Sequence, residues 1–191
     1  MKKKVMDINR NDAVMLINKY VKSERMLSHC YAAEALMGAL AGRLGQDEEK
    51  WKIAGLLHDL DIEIVDNDLN RHGLETEKIL KEKGVDAGII DAIVMHNERA
   101  SGKKRSSLFQ HALAASETIT GLIVAAALVY PDKKLASVKP KSVMKRMKEK
   151  AFAASVNRDN IMECEQIGIP INEFAELCIN AMLTVSDRIG L

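Results

Sequence analysis

The chemistry in this chain starts with its histidines and with the directions in which helical spacing turns them. His29 shares a stripe with Ala33, Leu36 and Leu40, at i+4, i+7 and i+11, so its imidazole faces the apolar side of a helix. His96 follows Ile89 and Ile93 on another such stripe and faces inward in the same way. His58 and Asp59 fall in the run IAGLLHDLD, which has little polar surface to offer solvent, and that pair is expected to be buried. One inward histidine by itself reads as a hydrogen-bonded core residue. Several beside a buried carboxylate read differently, because a buried charge is costly unless a counter-charge or a metal compensates it, and a divalent cation satisfies all of them at once. Imidazole with carboxylate suits Fe, Mn, Co, Ni or Zn and leaves coordination positions open to water.

The order His29, His58-Asp59, His72, His96 resembles the H…HD…H…H series of the HD superfamily. The words around it agree: LSHCYAAEALMGALAGRLGQDEEKW, AGLLHDLDIE, RHGLETEKILKEKGVD, IIDAIVMHNE and ETITGLIVAAALVYPDKKLASVKPKSV look like the HDIG-type branch, over roughly residues 25 to 180. The resemblance implies an all-α, single-domain helical bundle and metal-dependent hydrolysis of a phosphoester, in a nucleotide or another small phosphorylated compound. It also implies that His29, His58 and Asp59 hold a first ion, that Asp59 bridges to a second, and that His72 and His96 complete the second site. His72 lies near an expected helix start, where a surface or capping role is the alternative.

The chain also departs from the pattern. The resemblance calls for a last ligand, an Asp, in a phrase like A-D-E-L-T-G; here the phrase is Ala115-Ser116-Glu117-Thr118-Ile119-Thr120-Gly121, and Ser116 stands at the Asp position. Its spacing from Ala112, Ile119 and Ile123 turns it inward, yet a neutral hydroxyl is a poor ligand for a divalent ion. Glu117 is rotated by about 100° on the helix and is expected not to take over. Three remaining ligands can still hold a catalytic-type metal. The alternative is a non-catalytic sensor that binds metal or nucleotide in a degenerate site.

Asp61, two residues beyond Asp59, is a candidate either to orient a ligand or to pass a proton to a leaving group, with a solvent-facing helix-end carboxylate as the plain alternative. Arg25, Arg71 and Asn97 are candidates for substrate phosphate, and Arg25 sits one turn before His29. Lys103-Lys104-Arg105 reads as a solvated loop, Glu34 as structural, and His111 as turned away from Ser116.

Good helix formers dominate and aromatics make up only 4% of the 191 residues, so the positioning elements are expected to be helices. The periodicity predicts them over 11–23, 25–44, 47–60, 72–83, 86–98, 106–130, 141–153, 157–167 and 171–188, with N-caps at Asp12, Asp47, Asp86 and Asn157 and a loop over 62–70. One domain over 11–191 follows a tail over 1–10, with the metal-site core at about 25–130 and C-terminal helices at about 140–190.

Three scattered cysteines without a Cys-x-x-Cys pair, no apolar run behind the basic N-terminus, and an apolar stretch GLIVAAALVY too short for a bilayer point to a cytoplasmic protein with no membrane partner. Residues 47–98 carry fourteen acidic and six basic residues, a setting that attracts cations, while residues 131–158 carry nine basic and two acidic. That basic flank has too few aromatics for stacking, which argues against nucleic acid as the partner and leaves a small phosphorylated compound as the expected one. The sequence holds no P-loop, no dinucleotide fingerprint and no Gly-x-Ser-x-Gly elbow, which excludes the kinase, dehydrogenase and serine-hydrolase classes. Oligomeric state is not legible in it.

Overall fold

A computed structural model describes residues 8–191, and every regular element among them is helical. In chain order these are α1 (Arg10–Tyr20), α2 (Glu24–Leu44), α3 (Glu48–Leu57), α4 (Leu74–Glu82), α5 (Ala87–His96), α6 (Glu98–Ser101), α7 (Leu108–Leu128), α8 (Pro140–Lys148), α9 (Arg158–Met162), α10 (Ile171–Leu183) and α11 (Ser186–Ile189), with short 3-10 turns at Leu135–Ser137 and Glu163–Glu165. Residues 1–7 of the expected tail lie outside the described part. Ile8 packs against the core, and Asn9 already caps α1.

Two long helices organise the bundle. Helix α2 begins where the Ser23 side chain accepts the amide of Met26, and it ends at Gly45 in a left-handed conformation that glycine reaches without strain. Helix α7 begins with a capping box between Ser107 and Gln110. Helix α3 packs on α2, α5 packs on α7 and α3, and α8 to α11 close the bundle, with α10 and α11 seated on α2. The Arg188 guanidinium of α11 stacks over the Tyr31 ring of α2 at 3.5 Å. Among the described residues α7 is the helix whose length and hydropathy would suffice to cross a membrane, and two thirds of its apolar window (67%) lies inside the bundle, as in a core helix.

The helices α2 and α3 meet almost backbone to backbone. At Gly55 a Cβ would stand 2.5 Å from the Ala33 carbonyl oxygen and 2.9 Å from the Glu34 amide nitrogen, so only a glycine permits this contact. The approach sets the distance between His29 on α2 and His58 at the end of α3.

Several expected boundaries are corrected. Asn9, not Asp12, caps α1: its side chain accepts the amide of Asp12 at 3.0 Å. Helix α3 stops at Leu57 rather than 60, because Leu60 and Ile62 donate to Leu57 and Asp59 in tight i+3 turns. A turn-rich segment then runs to Gly73. The helix expected over 86–98 breaks at Asn97, and that expected over 141–153 ends at Lys148. Beyond it, residues 149–157 form a loop, which Arg158 holds together by donating to the carbonyls of Phe152, Ala153 (2.6 Å) and Val156 (2.7 Å).

Candidate metal centre

Four imidazoles from four chain segments converge on one carboxylate. His29 comes from α2, His58 from the end of α3, His72 from the turn segment and His96 from the last turn of α5, while Asp59 sits at the hub. Asp59 Oδ1 lies 3.3 Å from His58 Nε2, 3.0 Å from His72 Nε2 and 3.7 Å from His96 Nε2; Oδ2 lies 3.4 Å from His29 Nε2. His58, Asp59, His72 and His96 are buried, and His29 is 22% exposed at its side chain, so the centre opens to solvent at one edge.

Each ring is oriented from behind. His58 Nδ1 bonds the Gly55 carbonyl at 2.8 Å, and His96 Nδ1 bonds the carbonyl of Ile93. His72 Nδ1 faces Asp61 Oδ1 at 2.7 Å. His29 Nδ1 meets the Thr120 hydroxyl at 2.8 Å, and since that hydroxyl donates to the Glu117 carbonyl at 2.6 Å, it accepts from His29. With Nδ1 the donor in every case, a neutral ring turns its Nε2 lone pair toward the hub. Nε2 atoms then face one another at 3.1 Å (His29 and His58) and 2.9 Å (His72 and His96). Opposed lone pairs beside a carboxylate call for a cation, and this donor set fits a divalent transition ion.

Proton affinities reflect the same crowding. Burial, with the neighbouring His58 and Arg25, pushes His29 down to about 4, and burial with His72 and His58 pushes His96 down to about 3. Burial also opposes charge on His72, but Asp59 and Asp61 outweigh it and raise that ring to about 10, so without an ion a proton on His72 supplies the positive charge that the opposed nitrogens call for. Against burial, His58, His72 and His29 together hold Asp59 well below the usual carboxylate range.

One feature narrows the sequence expectation and another departs from it. Asp61 is fully buried, and besides His72 it accepts the amides of Gly73, Glu75 and Thr76 at 2.8, 3.1 and 3.0 Å. Both its oxygens are taken up by His72 and these amides, and His72 first, then the amides, hold this carboxylate below its ordinary range despite burial. It orients His72 and caps α4. Glu117 is not turned away either. Its Oε2 lies 4.0 Å from His29 Nε2, and the group His29, His58 and Glu117 stands beside the group Asp59, His72 and His96, each compact enough to hold an ion. The sequence reading weighed rotation about the helix axis and left out the reach of a glutamate side chain.

This geometry is matched by a family comparison: the HD domain model covers residues 26–128. The chain belongs to the HD domain family. Members of this family are mostly metal-dependent hydrolases, and HD domains bind divalent metals. Among curated relatives, the chain is 32% identical over 100 residues to ribonuclease Y of Oleidesulfovibrio alaskensis and 35% identical over 100 residues to ribonuclease Y of Nitratidesulfovibrio vulgaris. Each match takes in 52% of this chain and 18% of the relative, so the chain spans under a fifth of the length of those proteins.

Around the HD centre the remaining candidates separate by position. Arg25 is exposed and lines, with His29 and Thr120, a cavity of about 890 Å³ whose other walls are largely apolar. A second cavity of about 260 Å³, lined by Glu117, Thr118, Asn157 and Asn160, adjoins the same histidine. Arg71 is exposed and pairs with Glu75 at 3.7 Å. Asn97 spends its amide on the carbonyls of Leu69 and His72, at 2.7 and 3.0 Å, so it fastens the His72 segment and has no N–H left for phosphate. Ser116 is fully buried, as its spacing predicts, and its hydroxyl has no partner among the described residues. Glu34 pairs with Arg10, and His111 turns to Glu163 at 2.8 Å, both away from the centre.

Arg105 corrects the reading of residues 103–105 as a solvated loop. Its side chain is 5% exposed; it donates to the carbonyls of Met95 and His96, at 3.1 and 3.0 Å, and pairs with Glu163 at 2.5 Å. A run of three basic residues gave no sign that the last one turns inward.

Proposed function

We propose that this HD domain is a phosphohydrolase: it cleaves the phosphoester of a small phosphorylated compound, such as a nucleotide, at a centre of one or two divalent transition ions held by His29, His58, Asp59, His72 and His96. The observation that carries this is the convergence of four Nε2 atoms on the Asp59 carboxylate with every Nδ1 tied back. A divalent ion bound there would supply Lewis acidity toward a phosphoryl oxygen and acidify the attacking water. Asp59 would serve both halves of the centre, and Asp61 would fix the ring plane and tautomer of His72. Arg25, free of ion pairs among the described residues, stands at the mouth of the larger cavity, where it would meet substrate phosphate. Arg71 is the remaining candidate for that contact.

The relatives' name suggests RNA, but the match takes in 18% of their length, and the basic segment over 131–158 offers one aromatic, Phe152, with Tyr130 just before it, too few for a stacking platform. The test is metal content of protein purified without chelator, alongside phosphate release from a panel of nucleotides and other phosphoesters. Transition ions bound at one or two per chain, with turnover that His58→Ala and Asp59→Asn abolish while the fold is kept, is the expected result. Bound metal without turnover on any phosphoester would instead make the domain a sensor.

A further inference from the structure

We propose that Glu117 supplies the carboxylate ligand at the His29 and His58 end of the centre, so that the ligand expected at residue 116 has moved one residue along α7. The inference rests on the metal-binding reading given above. Three observations carry it. First, the Glu117 side chain is mostly buried (18% exposed), and its Oε2 lies 4.0 Å from His29 Nε2 without a hydrogen bond to another group among the described residues, within the cluster that also holds His58 Nε2. Second, the other oxygen is anchored: the Thr118 hydroxyl donates to Oε1 at 2.5 Å and itself accepts from the Asn160 amide at 3.4 Å. This places the carboxylate and leaves one oxygen facing the histidines. Third, the Glu117 carbonyl accepts the Thr120 hydroxyl, which in turn accepts His29 Nδ1–H, so one residue bears on both nitrogens of the same ring.

Charge favours the arrangement. Across the two halves of the centre Asp59 is, among the described residues, the one other carboxylate facing the Nε2 atoms, and a second anion balances the charge of a second divalent ion. Ser116, by contrast, is enclosed with an unpartnered hydroxyl, and a neutral hydroxyl contributes little to such an ion. Moving a ligand from one helical position to the next turns the Cα direction by about 100°, and the longer glutamate chain recovers the reach that an aspartate would lack.

The test titrates Co²⁺ into stripped wild type, Glu117→Gln and Ser116→Asp, reading the visible d–d absorption for geometry, and bound ion after dialysis for stoichiometry. Glu117→Gln is expected to weaken the ion at the His29 end by on the order of 100-fold, at least the loss that a missing orienting partner causes, and to shift the absorption band. Ser116→Asp with Glu117 intact is expected to gain nothing. Wild-type affinity, stoichiometry and spectrum in Glu117→Gln would overturn the assignment. Should Glu117→Gln not fold, Thr118→Val serves instead, because it keeps the carboxylate and removes its anchor: a smaller loss of Co²⁺ affinity supports the assignment and an unchanged titration overturns it. A wild type that binds no Co²⁺ refutes the metal-centre reading itself and this assignment with it, whereas a wild type that binds normally beside an unaffected Glu117→Gln refutes the assignment alone.

Discussion

Asp61 is the residue on which the His72 half of the centre depends, although it faces no solvent. It gathers the amides at the start of α4 and the Nδ1 of His72 on one carboxylate, so a neutral isostere should disturb cap and ligand together. We expect Asp61→Asn to cost about 2–3 kcal/mol in unfolding free energy, the scale of hydrogen bonds to a buried charge. Metal affinity should also fall by about 10- to 100-fold, as when the partner behind a metal-binding histidine is lost. Urea unfolding of stripped protein separates the first effect from the second, which a Co²⁺ titration reads. A variant that loses stability but binds metal like wild type would confine Asp61 to capping. At this scale the inward faces of His29, His58, Asp59, His96 and Ser116 were legible, because helical period reports direction. The placements of Glu117, Arg105 and Asn97 were not, because each depends on how far a long or polar side chain reaches toward a neighbouring segment, and period carries no such information.

The helices bring the ligands together through their packing more than through their ends. Caps built from local side-chain chemistry were readable at Asp47, Asp86 and Asn157, whose side chains accept amides two or three residues on. The early stop of α3 at Leu57 was not, since it follows from the His58 ring bonding Gly55 and from turns that fold Asp59 inward. Gly55 is the point where element geometry becomes site geometry. We expect Gly55→Ala to push α3 off α2, at a cost of about 1–3 kcal/mol for overpacking. The His29 and His58 Nε2 atoms, 3.1 Å apart, should separate with it. Denaturant midpoints together with a loss of Co²⁺ affinity would show both effects; a variant as stable and as tight as wild type would mean that α2 and α3 yield without moving the rings.

For the whole molecule, contacts cross from the segment before residue 128 to the one after it. Arg105 ties the carbonyl end of α5, next to His96, to Glu163 beyond α9, and α10 and α11 cover α2. The stability of the stripped protein should therefore follow the centre's protonation. His29 and His96, lowered to about 4 and about 3, bind fewer protons folded than unfolded, so their contribution is lost as pH falls from the ordinary value of 6.5. His72 and Glu117, raised to about 10 and, mainly by burial, to about 8, bind more protons folded, so theirs is lost as pH rises toward those values. Thermal melts across pH should pass through a maximum slightly below 6.5 without metal. Loading an ion at about 100 times its Kd should raise the melting temperature by about 5–10 °C at neutral pH, and chelation should reverse the gain. A flat pH profile, or melts indifferent to chelator, would contradict the geometry.

The hub at Asp59 draws its partners from positions as far apart as residues 29 and 96. Seen from the unfolded chain, an ion held there is a reversible cross-link across that span. A covalent bridge closing a loop of this length removes about 4 kcal/mol of chain entropy from the unfolded ensemble, and a coordinated ion shares in that effect for as long as its ligands stay attached. Release of the ion would then be a topological event as well as a chemical one, freeing the turn segment between α3 and α4 to wander before the rest of the bundle lets go.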